Sequence, residues 1–262
     1  MKLTLLNTLE RYRRYGPALN TYDSARALAV IAMLVEHIGD YFAPGQPLWH
    51  SLGIAMPVFL FLVGYSGKYT RDYNLIAGAI ALIALDLLTG YPLFPLNILV
   101  TIGLGRMLLH WLDAKGWMQS RPLEITIALL VWIPVSRYAF EFGSLGFIFI
   151  LLGYWVRHPA SNWQQRVSMA IPLLVYPWVE IAAHGFNATG IAVMIASLLV
   201  LYPLLLRFQI APITQLAPHN VIAVALKYIG RNSLIIYVLH LWLLQWVAEW
   251  LYPARYAGFH WI

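Results

Sequence analysis

The sequence predicts an all-α fold: a polytopic membrane bundle of about nine transmembrane helices in one domain, 1–262. Three observations predict it. Hydrophobic residues make up 61% of the 262 positions and charged residues 11%, against about 45–50% and 25% in a soluble domain; mean hydropathy is +0.68. The apolar residues fall in runs close to the ~20 residues that cross a bilayer core. The basic residues sort to one side of those runs. That gap in composition excludes disorder, a coiled coil and a secreted disulfide scaffold, and a soluble globular enzyme is not expected, because no folded surface hides so much apolar area. The absence of Cys excludes disulfides, thiolate nucleophiles and Cys-based metal sites. No composition shift, low-complexity run or usable repeat divides the chain.

The elements follow in order. Residues 1–21 form a basic segment; Lys2–Tyr15 is too polar for the apolar stretch of a cleavable signal. Within it Leu5, Leu9 and Tyr12 recur at helical spacing among Arg11, Arg13 and Arg14, which fits an interfacial helix on anionic membrane lipids or a basic tail. Nine spans are expected: Tyr22–Phe42, Leu48–Ser66, Asn74–Gly90, Leu96–Leu112, Glu124–Tyr138, Ser144–Arg157, Val167–His184, Asn187–Arg207 and Asn232–Tyr252. Pro and Gly punctuate most of the gaps, which suits turns. The stretch Asn220–Ile229 is apolar but about half the length of a span, so it is expected at the cytoplasmic interface or re-entrant. If it crosses, there are ten helices and the C-terminus moves to the cytoplasm.

Orientation follows from the cytoplasmic excess of Lys and Arg. With a cytoplasmic N-terminus, thirteen basic residues fall on that side: Lys2, Arg11, Arg13, Arg14, Lys68, Arg71, Lys115, Arg121, Arg157, Arg166, Arg207, Lys227 and Arg231. Two, Arg137 and Arg255, fall opposite, and Arg26 and Arg106 inside helices complete the 17. A nucleic-acid site would gather such charges on one face of one element, so no nucleic-acid partner is expected despite the net charge of +6.

Ionisable groups inside spans cost roughly 2.5–3.5 kcal/mol each and mark function. The first span carries Asp23, Arg26, Glu36, His37 and Asp40. Arg26 and His37 lie close to three turns apart, about 16 Å along the axis and within about 20° in direction. Asp23 and Asp40 lie three residues from Arg26 and His37, within contact. Glu36 points about 100° away from His37 and needs a partner on another helix. One face thus carries a cation suited to phosphate or pyrophosphate and an imidazole suited to general-base work. Such a face joins a cytoplasmic donor to an acceptor across the membrane; a buried ion-pair network that serves packing is the alternative. Elsewhere Asp86 and Arg106 are placed to pair between neighbouring spans. Glu180 and His184 at i, i+4 supply two metal ligands without a third, so metal is not expected. His240, one turn after Tyr237, suits a bond to a backbone carbonyl. Asn97 and Asn232 suit helix caps or bonds across helices.

Three stretches carry a resemblance. "YDSARALAVIAMLVEH" resembles the opening helix of the acyltransferase-3 family, membrane enzymes that acetylate sugars. "AMPVFLFLVGYSGKYTRDY", followed by "PLNILVTIGLG", is similar to the pilin-acetylating TraX family, and "YIGRNSLIIYVLHLW" looks like the late helix of these acyltransferases. The length matches the TraX type better. The resemblance implies a multi-pass bacterial inner-membrane O- or N-acyltransferase. Its donor would be acetyl-CoA, with no metal or prosthetic group, and its acceptor a hydroxyl or amine of a glycan, lipid-linked sugar or pilin. It implies His37 as the catalytic residue, with Glu36 or Asp40 setting its tautomer and stabilising the imidazolium. Arg26 would bind CoA phosphate with help from Arg106. Asn97, Asn232, Tyr237 and His240 would contact substrate. Two departures stand out: Glu36 replaces the Asp that TraX-type proteins place before the His, and nine spans replace the ten of the sugar enzymes. A secondary transporter or proton-coupled flippase would use the same charges, but the repeated halves with broken helices common in transporters are not seen. A non-catalytic assembly subunit would leave the charges without a purpose.

The thirteen-to-two sorting generates a prediction. A single Cys introduced at Lys115 of this Cys-free chain stays protected from an impermeant thiol reagent in intact cells and reacts once the membrane is opened. Ready labelling of intact cells overturns the orientation.

Overall fold

The computed structural model describes residues 18–43, 45–67, 72–160, 162–217 and 220–252. Most of the basic N-terminal segment, the loop 68–71 and Arg255 lie outside the described residues. Among the described residues ten α-helices run in order: α1 (Thr21–Phe42), α2 (Ala55–Ser66, after a 3₁₀ turn Pro47–His50), α3 (Tyr73–Thr89), α4 (Ile98–Ala114), α5 (Pro122–Ala139), α6 (Gly143–Arg157), α7 (Trp163–His184), α8 (Ala188–Leu206), α9 (Val221–Arg231) and α10 (Ser233–Leu251), with a one-turn helix at Trp117–Ser120. Among the described residues the only β-pairing is two isolated bridges, Asn20 with Pro212 and Leu96 with Phe140.

Each expected span falls on one of these helices. Among the described residues five segments are long and apolar enough to cross a membrane: Leu48–Ser66, α5, α7, α8 and α10. α3 and α6 are shorter apolar helices. α1 has the length, at 22 residues, but carries five ionisable groups. The stretch expected at the interface is α9, whose 11 residues reach only about 16 Å. Six helices carry a side-chain cap: Asn20, Asn97, Asn162, Asn187 and Asn220, with Asp72 at α3, accept from first-turn N–H groups. Five of these caps are therefore Asn and one Asp, each worth about 1 kcal/mol. The Asn162 cap explains why α7 starts at Trp163, four residues before the expected span. Gly67, Gly90 and Gly185 end α2, α3 and α7 in left-handed conformation, which glycine adopts without penalty.

α6 is the centre. Every residue from Gly143 to Trp155 is buried, as a helix apolar on all sides requires. α5, α7, α8 and α10 surround the core and turn large apolar side chains outward, among them Val131, Leu174, Trp178, Leu199 and Leu243, the surface expected against lipid. α2 meets α6 backbone to backbone. A Cβ on Gly64 would stand 1.7 Å from the Ile150 carbonyl oxygen, and one on Gly153 1.9 Å from that of Phe61. Small residues permit this approach where no hydrophobic force between helices exists in lipid. Arg157 at the end of α6 then donates through Nη1 to the Tyr65 and Ser66 carbonyls, both at 2.8 Å, satisfying the C-terminus of α2.

Because the obstacle at both glycines is backbone, Gly64→Val or Gly153→Val forces α2 from α6. Overpacking costs typically about 1–3 kcal/mol, and this contact lies at the upper end or beyond. Either variant unfolds well below wild type in detergent melting; wild-type melting in both refutes the contact.

Candidate functional site

The site begins where α1 meets the α9–α10 turn. Gly230 lets that turn sit on α1, since a Cβ there would lie 2.1 Å from the Asp23 carbonyl oxygen. Arg231 Nε consequently donates to Asp23 Oδ2 at 2.8 Å, with side chains 10% and 3% exposed. Asn20 Nδ2 donates to the same oxygen at 3.2 Å. Arg26 Nη2 donates to Ser233 Oγ at 2.5 Å and lies 5.6 Å over the Tyr22 ring. The expected contact of Asp23 with Arg26 is thus replaced by Asp23 with Arg231, because the turn delivers a second guanidinium directly onto the carboxylate.

Further along α1, His37 Nδ1 lies 2.7 Å from His240 Nε2 on α10, and the rings stack at 5.0 Å. His240 Nδ1 lies 2.9 Å from the Ile236 carbonyl oxygen, the backbone bond expected of it. A carbonyl only accepts, so His240 Nδ1 carries the hydrogen and, in a neutral ring, its Nε2 is an acceptor. The hydrogen between the rings therefore belongs to His37 Nδ1, and His37 Nε2 holds the free lone pair. Neither expected carboxylate sets this tautomer. Asp40 bonds His50 Nε2 at 2.5 Å, because the 3₁₀ turn brings His50 against the end of α1. Glu36 Oε1 is buried with no hydrogen-bond partner. His50 also stacks on His184 at 4.5 Å, and His184 Nδ1 lies 3.4 Å from Glu180 Oε2. Among the described residues no three His, Asp or Glu side chains converge as metal ligands would.

Two cavities flank His37. The first, about 1300 Å³, is lined at one end by Arg26, Arg106, Arg231, Asp23, Asp72, Ser66 and Ser233, along its walls by Met33, Met56, Phe59, Leu62 and Val63, and at its other end by Glu36, His37, Glu141 and Tyr237. Arg106 Nη1 donates to Asp72 Oδ2 at 3.4 Å, while its buried Nε has no partner. Asp86 does not pair with Arg106: it lies fourteen residues from Asp72, about 21 Å along α3. The second cavity, about 1090 Å³, is lined by Asp40, Asp86, Tyr41, Tyr91 and Asn97, and among the described residues by no Lys or Arg. His37, Tyr237 and Glu141 line both cavities.

Of the residues named from sequence, Arg26, Arg106, Glu36, His37 and Tyr237 line the first cavity, and Asp40 and Asn97 the second. Asn97 also caps α4 and donates to the Ala79 carbonyl at 3.2 Å. His240 lines neither cavity but holds His37. Asn232 lines neither and donates to the Tyr228 carbonyl at 2.8 Å. Three residues carry no signal at the sequence level: Arg231, which reads as a cytoplasmic loop cation; Asp72, which reads as loop; and Glu141, which reads as part of a gap between spans.

A family model described as "TraX protein" matches residues 22–248. A relative from Rickettsia prowazekii (strain Madrid E), described as an uncharacterized protein, is 24% identical over 251 residues, covering 92% of this chain and 97% of its own length. No solved structure matches.

Removing one partner of a buried ion pair costs about 3–5 kcal/mol, whereas replacing both with apolar residues is often neutral. Asp23→Leu and Arg231→Met each lose about that much, and the double variant recovers most of it in detergent unfolding. Simply additive losses would show that the two side chains are not coupled.

Proposed function

The chain belongs to the TraX family, and from that premise we propose that it is an integral inner-membrane acyltransferase. It moves an acetyl group from cytoplasmic acetyl-CoA to a hydroxyl or amine of a glycan, lipid-linked sugar or pilin on the other side. In this reading the bundle crosses nine times, with its N-terminus in the cytoplasm and α9 at the cytoplasmic interface. The observation that carries it is the position of His37. The residue stands where an arginine-lined cavity and a carboxylate-lined cavity meet, with Nδ1 committed to His240.

The residues of the first cavity fit the donor. Three guanidinium groups line one end, and guanidinium binds phosphate with charge and paired donors. The buried Arg106 Nε without a partner is a donor that an anionic group would satisfy. Apolar walls then lead toward His37, suited to an uncharged arm. The donor thioester supplies the electrophilic carbonyl. The acceptor oxygen or nitrogen attacks it, His37 Nε2 takes the acceptor's proton, and the thiolate leaves with the electron pair of the broken C–S bond. His240 Nε2, accepting from His37 Nδ1, keeps the reactive nitrogen pointed away from the partner ring.

A positioned general base contributes typically 10²–10⁴-fold. Vesicles from expressing cells, given labelled acetyl-CoA, lose acetyl incorporation by about that factor in His37→Ala and in His37→Gln, while detergent melting stays near wild type. Arg26→Ala weakens CoA binding measured by calorimetry. Wild-type incorporation in His37→Ala, or a loss that tracks unfolding, sinks the catalytic assignment.

A further inference from the structure

We propose that Glu141 is the residue that holds the acceptor's nucleophilic group at the meeting point of the two cavities. This rests on the acyltransferase reading and adds to it a residue that neither the TraX resemblance nor the charge pattern of the spans supplies.

The turn between α5 and α6 is built to place this carboxylate. Glu141 N–H donates to the Leu96 carbonyl at 2.8 Å, and its carbonyl accepts from Thr101 Oγ1 at 2.8 Å. Carboxyl oxygen Oε2 accepts the Ile98 N–H at 2.8 Å, at the first turn of α4, where negative charge is favoured. The next residue, Phe142, has φ 61, a left-handed conformation uncommon for a bulky side chain. Gly143 follows at φ 52, and a Cβ there would lie 2.6 Å from Ser136 Oγ. Strained backbone of this kind persists where the surroundings over-determine it, and it gathers at functional sites. Three hydrogen bonds and two left-handed residues thus fix the turn that carries this side chain.

That side chain faces both cavities with His37 and Tyr237, and among the described residues no protein donor reaches Glu141 Oε1. Glu141 stands at the end of the first cavity away from the three guanidinium groups, where it suits the donor hydrogens of an acceptor rather than a phosphate. The second cavity agrees: Asp40, Asp86 and Glu141 line it without a Lys or Arg. Oε1 accepts one hydrogen from the incoming hydroxyl or amine, or from a donor beside it. His37 Nε2 takes the hydrogen that is lost. The acceptor therefore presents two donor hydrogens close together, as a primary amine or adjacent hydroxyls do, and fixing both orients its lone pair for attack.

The test uses three measurements. In vesicles from expressing cells, which hold the natural acceptor, Glu141→Gln lowers acetyl incorporation at least about 10²-fold, the scale of a lost orientation. Glu141→Asp, which keeps the charge on a shorter stem, recovers part of it. The calorimetric CoA affinity of Glu141→Gln stays within about twofold of wild type, which also shows that the variant folds; donor-site geometry is left intact by this reading. A single-Cys Glu141→Cys chain in right-side-out vesicles reacts with an impermeant cationic thiol reagent at least about tenfold faster than with an anionic one, as a carboxylate-lined cavity focuses cations. Unchanged incorporation in Glu141→Gln overturns the assignment, as does faster labelling by the anionic reagent. A wild-type protein that neither binds CoA nor incorporates acetyl overturns the acyltransferase reading instead, and the labelling still reports which cavity residue 141 faces.

Discussion

Asp23 and Arg231 come from positions far apart in the chain, yet Oδ2 and Nε meet at 2.8 Å with almost no exposure. Bringing them together requires α9 to lie on the first turns of α1, which Gly230 permits. Once that turn is docked, Ser233 reaches Arg26 and α10 runs beside α1 far enough for His240 to reach His37. Each bond answers the cost of putting an ionisable or polar group inside an apolar bundle, where an uncompensated charge is far more expensive than a paired one. The seam between α1 and α9–α10 forms one wall of the arginine-lined cavity. α2 and α4, held against α6, form the opposite wall.

The division of charge between the two cavities follows from helix ends. α1, α3 and α10 present their first turns at one end, with Asp23, Arg26, Asp72 and Ser233. The other end of α1 and of α3 presents Asp40 and Asp86. The guanidinium groups therefore gather at one mouth, where Asp23 and Asp72 accompany them, while the other mouth carries carboxylates with no Lys or Arg among the described residues, and α1, α3 and α10 each line both cavities. His37 sits on α1 between them, so a group bound in either cavity reaches the same imidazole.

Most of the fold was legible in the sequence. Span length and Pro and Gly punctuation are local signals, and each expected span coincides with a helix. The stripe from Arg26 to His37 was legible for the same reason, since helical periodicity puts both on one face. Partners were not legible. Asp23 and Asp40 have neighbours at i+3 and i−3 in sequence, but Arg231 and His50 win through tertiary contact. Asp86 and Arg106 sit on adjacent helices, yet Asp72 at the cap of α3 lies at the right height. Glu141 was invisible because a carboxylate in a short turn reads as solvent-facing until the packing of Leu96, Ile98 and Thr101 around it is known.

The diversion of Asp40 to His50 has a chemical consequence for His37. A carboxylate at His37 Nδ1 would favour a charged ring. His240 accepts the same hydrogen as a neutral group, and its own tautomer is fixed by the Ile236 carbonyl one helical turn away. Orientation is thereby separated from charge: backbone sets His240, His240 sets His37, and His37 Nε2 remains an unprotonated acceptor at the junction of the cavities. Glu141, which lines both cavities, is tethered by the Ile98 N–H instead of by an imidazole. Glu141 thus shares both cavities with His37 without bonding its ring.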